Sequence, residues 1–207
     1  VNFLAHVFLA RQSDDAMIGA LLGDFAKVND MERFGDEIVR EIRIHRRIDS
    51  FTDSHPLTTE AKSLFRGETR RFAGIALDVF YDHVLAKQWQ QYSAMPLEEF
   101  TQRFYRALLA RRQLLPERAA FVASLMIEHD WLGSYRDFES VRIAVTRMSG
   151  RLSRNGDMLR DSIHDLEQHY DELSRGFQLF FPELVAFADE ERQRYAQYQG
   201  VTPSSSA

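Results

Sequence analysis

A chain of 207 residues, 44% hydrophobic and 28% charged, has the balance of one globular domain with a sizeable core. It contains no cysteine, which excludes disulfides, cysteine-ligated zinc or iron–sulfur sites and thiol nucleophiles. A formal net charge of −5 disfavours non-specific nucleic-acid binding.

Glycine and proline number only 10 and 5, so turn punctuation is sparse and helices are expected. The first stretch, VNFLAHVFLA within 1–12, is apolar, with His6 alone in it and no basic leader or cleavage pattern, so no signal peptide is expected. A helix over 14–28 starts at Asp14 or Asp15 as cap and runs AMIGALLGDFAK. In it Gly19 and Gly23, four apart, allow another helix to approach closely. Asp24 follows where the pattern loosens. The next helix, over 36–50, leads into IHRRIDSFTDSHP at 44–56; Pro56 ends that stretch and Thr58 caps a helix to Leu64. Segment 68–92 has the strongest helical pattern. Helices over 97–112, 116–132, 135–149, 156–176 and, after Pro182, 182–198 complete the chain.

The spacing predicts a single all-α domain over 1–198 and a flexible polar tail over 199–207. No run approaches the roughly 18 apolar residues of a membrane span, and a cytoplasmic location fits.

Segment 71–89, RFAGIALDVFYDHVLAKQW, is apolar from Phe72 to Ala86 except for Asp78, Asp82 and His83. Asp78 and Asp82 are one turn apart, so both carboxylates share a helix face. Burying unpaired carboxylates costs several kcal/mol or forces protonation. A shared cation resolves this, and so does a shared arginine, with Arg46, Arg47, Arg70 and Arg71 available. His45 and Asp49 repeat the one-turn spacing, as do Asp49 and Asp53, and could grip one cation. His55 reads equally well as an exposed loop histidine. Asp24 also reads as a plain helix-end acid, and a lone His6 is more often a satisfied core residue. The case for a site is that four segments each bring an acid or imidazole into apolar surroundings. The dyads His129–Asp130 and His164–Asp165 sit in ordinary amphipathic surface. Neither a G-x-S-x-G elbow nor a phosphate-gripping glycine loop is present.

NFLAH at 2–6, GALLGDF at 19–25, HRRIDSFTDSHP at 45–56 and RRFAGIALDVFYDHVLAKQW at 70–89 resemble the acyl carrier protein phosphodiesterase family. So do DWLGSYRDFESV at 130–141, MSGR at 148–151 and FQLFFPEL at 177–184. The resemblance implies a divergent, all-helical histidine–aspartate phosphohydrolase that needs a divalent cation, typically manganese. It implies hydrolysis of the phosphodiester joining 4′-phosphopantetheine to a serine of holo-acyl carrier protein, an acidic substrate. The family's recurrent polar positions fall on His6, Asp24, His45, Asp49, Asp53, Asp78, Asp82 and His83. We expect Asp24, His45, Asp78 and Asp82 to hold metal, with His6, Asp49 and His83 beside them as catalytic groups. We expect Arg43, Arg46, Arg47, Arg66, Arg70 and Arg71 to form a docking rim, although solvated arginines balancing nearby acids would look the same. The alternatives are a metal-dependent phosphohydrolase of nucleotides or other small diesters, and a non-catalytic helical module whose acids form salt bridges.

Overall fold

The structure, a computed structural model, describes residues 1–200, with side chains to residue 197. Among the described residues it contains helices and no strand, as the sequence predicts. In chain order the α-helices are α1 (Phe3–Leu9), α2 (Asp14–Leu22), α3 (Asp36–Ser54), α4 (Pro56–Ser63), α5 (Ala73–Lys87) and α6 (Leu97–Ala110). They continue as α7 (Glu117–Glu128), α8 (Trp131–Ser134), α9 (Phe138–Ser149), α10 (Gly156–Gln168) and α11 (Tyr170–Gly200).

α5 is the hub because it is apolar all round. It packs against α1, α4, α9, α10 and α11. Tyr81 of α5 meets Phe177 and Phe180 of α11 in a core where each is at most 1% exposed. Burying each such ring contributes roughly 1.5–3 kcal/mol. α1 and α2 cover one side of this core, and α3 lies across α2. The approach of α3 is set by Gly19, where a Cβ would stand 2.6 Å from the Ile38 carbonyl oxygen.

Several boundaries differ from the sequence expectation. Ser13, rather than Asp14 or Asp15, caps α2 by accepting from the Ala16 N–H at 3.0 Å. α4 is capped by His55, whose Nδ1 accepts from the Leu57 N–H at 3.3 Å, with Pro56 as its first residue. His55 is therefore a buried structural group, not an exposed loop histidine, and its Nε2 meets Glu183 at 3.2 Å. Pro182 does not begin a helix: it lies inside α11, in a stretch anchored by buried Phe180, Phe181 and Leu184. That packing outweighs the missing N–H. α11 runs on to Gly200, past the expected domain end at 198; of the expected tail, 201–207 lie outside the described residues.

Asp82 explains why α5 carries an acid in its core. It is 0% exposed, and its two oxygens accept from the Leu4 and Ala5 N–H groups at 2.8 and 3.0 Å. Those are orphan donors of α1's first turn, which Asn2 does not cap with its side chain. Asp82 is thus a cap supplied from another helix, and burial pushes its carboxyl up to about 7 against the pull of the two donors. His83 is tied up as well. Its Nδ1 donates to the Tyr135 carbonyl at 2.8 Å and its Nε2 accepts from the Tyr170 hydroxyl at 2.7 Å.

Candidate metal centre

α1, α2 and α3 each deliver one part of a compact cluster. His45 and Asp49 are one turn apart on α3, and His6 comes from α1, the helix Asp82 holds in place. The His6 and His45 rings stack with centroids 3.7 Å apart and planes 16° from parallel. Asp49 bridges them: Oδ1 is 3.0 Å from His6 Nε2 and Oδ2 is 3.2 Å from His45 Nε2. Asp24, just beyond α2, places Oδ1 3.5 Å from His45 Nε2.

The second nitrogen of His45 fixes its tautomer. Nδ1 donates to the Ala20 carbonyl at 2.7 Å, which aims Nε2 at Asp49 and Asp24. The ring fits only because residue 23 is glycine, since a Cβ there would collide with it. The predicted glycine pair therefore does two things: Gly19 admits the α3 backbone and Gly23 admits the His45 side chain.

These atoms fit a divalent cation. His6 Nε2, His45 Nε2 and an Asp49 oxygen lie mutually within 4.8 Å. Ligands about 2.1 Å from a shared ion and at right angles stand about 3.0 Å apart, close to the spacings of 3.0 and 3.2 Å seen here. Without an ion, protons hold the cluster. Burial drives His6 down to about 4, so it is neutral, with its single ring proton on Nε2 donating to Asp49 and its Nδ1 without a partner. His45 is also opposed by burial, but hydrogen bonds to Asp24 and Asp49 raise it to about 9. Asp49 is held far below the usual carboxylate range by its bonds to both histidines, against its own partial burial.

A pH dependence follows. Below about pH 9 a cation must displace the His45 proton, so apparent affinity should rise about tenfold per pH unit from 6 to 8 and level off above 9. The metal-free protein behaves oppositely: the stabilisation from protonated His45 is complete below its unfolded value of 6.5 and is lost as pH rises through 9. Calorimetric titration with Mn2+ in buffers of different ionisation heat should show about one proton released per ion at pH 7. No proton release would mean that the cation does not bind His45.

A cleft of about 260 Å³ opens beside the cluster, lined by Val1, Asn2, His6, Asp24, Asp49, Thr52, Asp53 and Asp78. Asp78 faces this cleft and accepts from the Val1 nitrogen at 2.7 Å rather than joining the mutually close ligand atoms. Burial pushes its carboxyl above its ordinary value despite that contact. Asp53 is paired with Lys62 at 2.8 Å. Asp82, expected to hold metal, caps α1, and His83, expected to act in catalysis, links Tyr135 to Tyr170. Asn2 and Thr52 line the cleft without having been picked out from the sequence. The Thr52 hydroxyl is buried with no partner, a signal of open hydrogen-bonding capacity that only the structure carries.

The expected arginine rim divides. α3 turns by about 100° per residue, so Arg43 and Arg47 point away from the His45–Asp49 face. Arg47 is ion-paired with the buried Glu191 of α11. Arg46 donates to the Ala26 carbonyl at 3.0 Å, close beyond Asp24. Arg66, Arg70 and Arg71 are exposed in the segment leading into α5. The adjacent His–Asp dyads stand apart from the cluster: His164 has an 84% exposed side chain, Asp165 accepts from Thr69, and Asp130 accepts from Tyr105.

The chain matches the acyl carrier protein phosphodiesterase family over residues 1–184. It belongs to that family. It is 39% identical over 198 residues to acyl carrier protein phosphodiesterases of Escherichia coli O6:H1 (strain CFT073), O45:K1 (strain S88) and O127:H6 (strain E2348/69). Each alignment covers 92% of this chain and 99% of the relative. No solved structure matches the chain. The all-helical fold is in keeping with a divergent histidine–aspartate phosphohydrolase. Family membership and the His6–His45–Asp49 cluster together support a metal-dependent phosphodiesterase. No helix among the described residues is long and apolar enough to cross a membrane.

Proposed function

We propose that this protein hydrolyses the phosphodiester between 4′-phosphopantetheine and the serine of holo-acyl carrier protein, releasing apo-carrier protein. The observation that carries this reading is a cleft lined by His6 and four aspartates, Asp24, Asp49, Asp53 and Asp78, with His45 in the cluster beside it. So many carboxylates repel an anionic phosphodiester unless cations neutralise them. His6, His45 and Asp49 would hold a divalent ion, with Asp24 beside them, and Mn2+ is our choice among such ions. When bound, the ion supplies charge neutralisation of the phosphate and acidifies a water.

The chain's own groups do the rest. Ala20 keeps His45 in one tautomer, and Asp49 orients both rings. Thr52 and Asn2 offer neutral hydrogen-bonding groups to phosphate oxygens, which no carboxylate can do. Asp78, whose carboxyl faces the cleft, is our choice for the group that hands a proton to the leaving serine oxygen. This differs from our expectation that Asp78 itself ligates metal. The exposed Arg46, Arg66, Arg70 and Arg71 supply positive charge for an acidic carrier protein, while Arg47 is taken up by Glu191 of α11 and Arg43 points away from the cluster.

The test is incubation with holo-carrier protein and Mn2+ followed by intact mass. Loss of the phosphopantetheine mass, abolished by a chelator, is expected. Turnover of small nucleotide diesters with the carrier protein untouched would replace this substrate with a small one.

A further inference from the structure

A second cavity, about 390 Å³, lies between α7, α8 and α9. Trp131, Ile143, Ala144, Arg147 and Arg151 line it, with His129 at its edge. The lining holds no carboxylate, in contrast to the four-aspartate cleft. Neither Arg147 nor Arg151 forms an ion pair among the described residues, whereas their neighbours Arg142 and Arg160 do. The groove therefore combines an aromatic and aliphatic floor with two free guanidinium groups.

Three rings link the two cavities. Trp131 lines the groove, and its ring also meets Phe3 edge-on at 6.0 Å. Phe3 stacks on Phe25, with centroids 6.3 Å apart and planes 7° from parallel. Phe3 and Phe25 directly follow Asn2 and Asp24, which line the acidic cleft. Asn2 also donates to the Tyr135 hydroxyl at 3.1 Å, tying the cleft to the end of α8. All three rings are half-buried, so an aromatic shelf leads from the cleft to the groove.

We propose that this shelf and groove bind the pantetheine arm that leaves the phosphate; the inference rests on the phosphopantetheinyl reading above. The arm is uncharged, begins with a branched dimethyl carbon and continues through two amides. The dimethyl carbon packs against Phe3 and Trp131. The amide carbonyls accept from Arg147 and Arg151, as guanidinium donors favour oxygen acceptors. An acidic cleft suits only the phosphate with its cation, so the arm needs a separate and differently built surface. Ile143, 43% exposed, supplies apolar contact on the far side.

Free pantetheine, which lacks the phosphate, is the probe. The chain has two tryptophans. Trp89 is buried, with its N–H on the Met95 carbonyl, so a change in emission on titration reports Trp131. A saturable change is expected in the wild-type protein. Arg147→Ala and Ile143→Asp should each weaken it at least about fivefold, the scale of one lost hydrogen bond or apolar contact, and Arg147→Lys should recover part of the loss. In the same variants the ratio of kcat/KM for holo-carrier protein to that for bis(4-nitrophenyl) phosphate, a diester without the arm, should fall by a similar factor. Unchanged thermal midpoints establish that the variants fold. No saturable emission change in wild type, or an unchanged ratio in both folded variants, overturns the proposal. Should the protein cleave only the nitrophenyl diester, the carrier-protein reading fails, and the pantetheine titration decides the groove independently.

Discussion

Asp49→Ala should bind Mn2+ at least about 100-fold more weakly than wild type and turn over substrate about a thousandfold more slowly, with its helical content intact. Asp49 contacts both histidines, Oδ1 with His6 and Oδ2 with His45. Removing it strips the cluster of its anionic ligand and of the group that fixes the stacked rings. The change lies on a half-exposed side chain of α3, and the buried positions Ile44, Ile48 and Thr52 that anchor this helix are untouched. Loss of activity should therefore not reflect unfolding. Asp24→Ala should cost less, because Asp24 stands 3.5 Å from His45 and its contact with the cluster runs through that residue. Calorimetric Mn2+ affinity and circular dichroism on both variants give the answer. Wild-type affinity in Asp49→Ala would move the metal elsewhere in the cleft.

The helical character of the chain was readable because its apolar residues recur at three and four, and the structure follows that period from α1 to α11. The one-turn pair His45 and Asp49 was readable for the same reason: a 3.6-residue period puts both on one face whatever surrounds the helix. His6 and Asp24 needed more. Each was ambiguous alone, and only the packing of α1 and α2 against α3 brings them to His45. Asp82 and His83 gave the same signal as His6, a polar residue in an apolar helix, but for a different cause. The sequence shows that a buried carboxylate needs partners; it does not show whether those partners are a cation or the orphan N–H groups of a distant helix. His55 was likewise a cap and an ion-pair partner. Thr52 and Asn2 escaped notice because neutral polar residues cost little to place and raise no warning. Arg47 was read by charge, yet its direction is set by the position of Glu191, which is 144 residues further along the chain.

Asp82→Asn tests the reassignment of that residue, because the two readings predict opposite phenotypes. As a cap, Asp82 gives one oxygen to each of two N–H groups. Asparagine keeps one acceptor and turns an NH2 group toward the other donor. A fully buried donor loses its partner, and a charge-assisted pair of bonds is reduced to one neutral bond. The expected cost at pH 8, where the carboxyl is ionised, is about 3 kcal/mol. For a chain of this size each kcal/mol shifts the midpoint by about 2–4 °C, so the metal-free variant should melt roughly 6–12 °C below wild type. α1 carries His6, so a loosened first turn should also weaken Mn2+ binding, but by less than Asp49→Ala does. Had Asp82 been a metal ligand, the metal-free variant would melt at or above the wild-type midpoint, since a buried negative charge had been removed. The deciding comparison is the midpoint of chelator-treated protein for wild type, Asp82→Asn and Asp49→Ala. A large drop in metal-free Asp82→Asn fixes residue 82 as the anchor of α1, and a wild-type midpoint would return it to the metal.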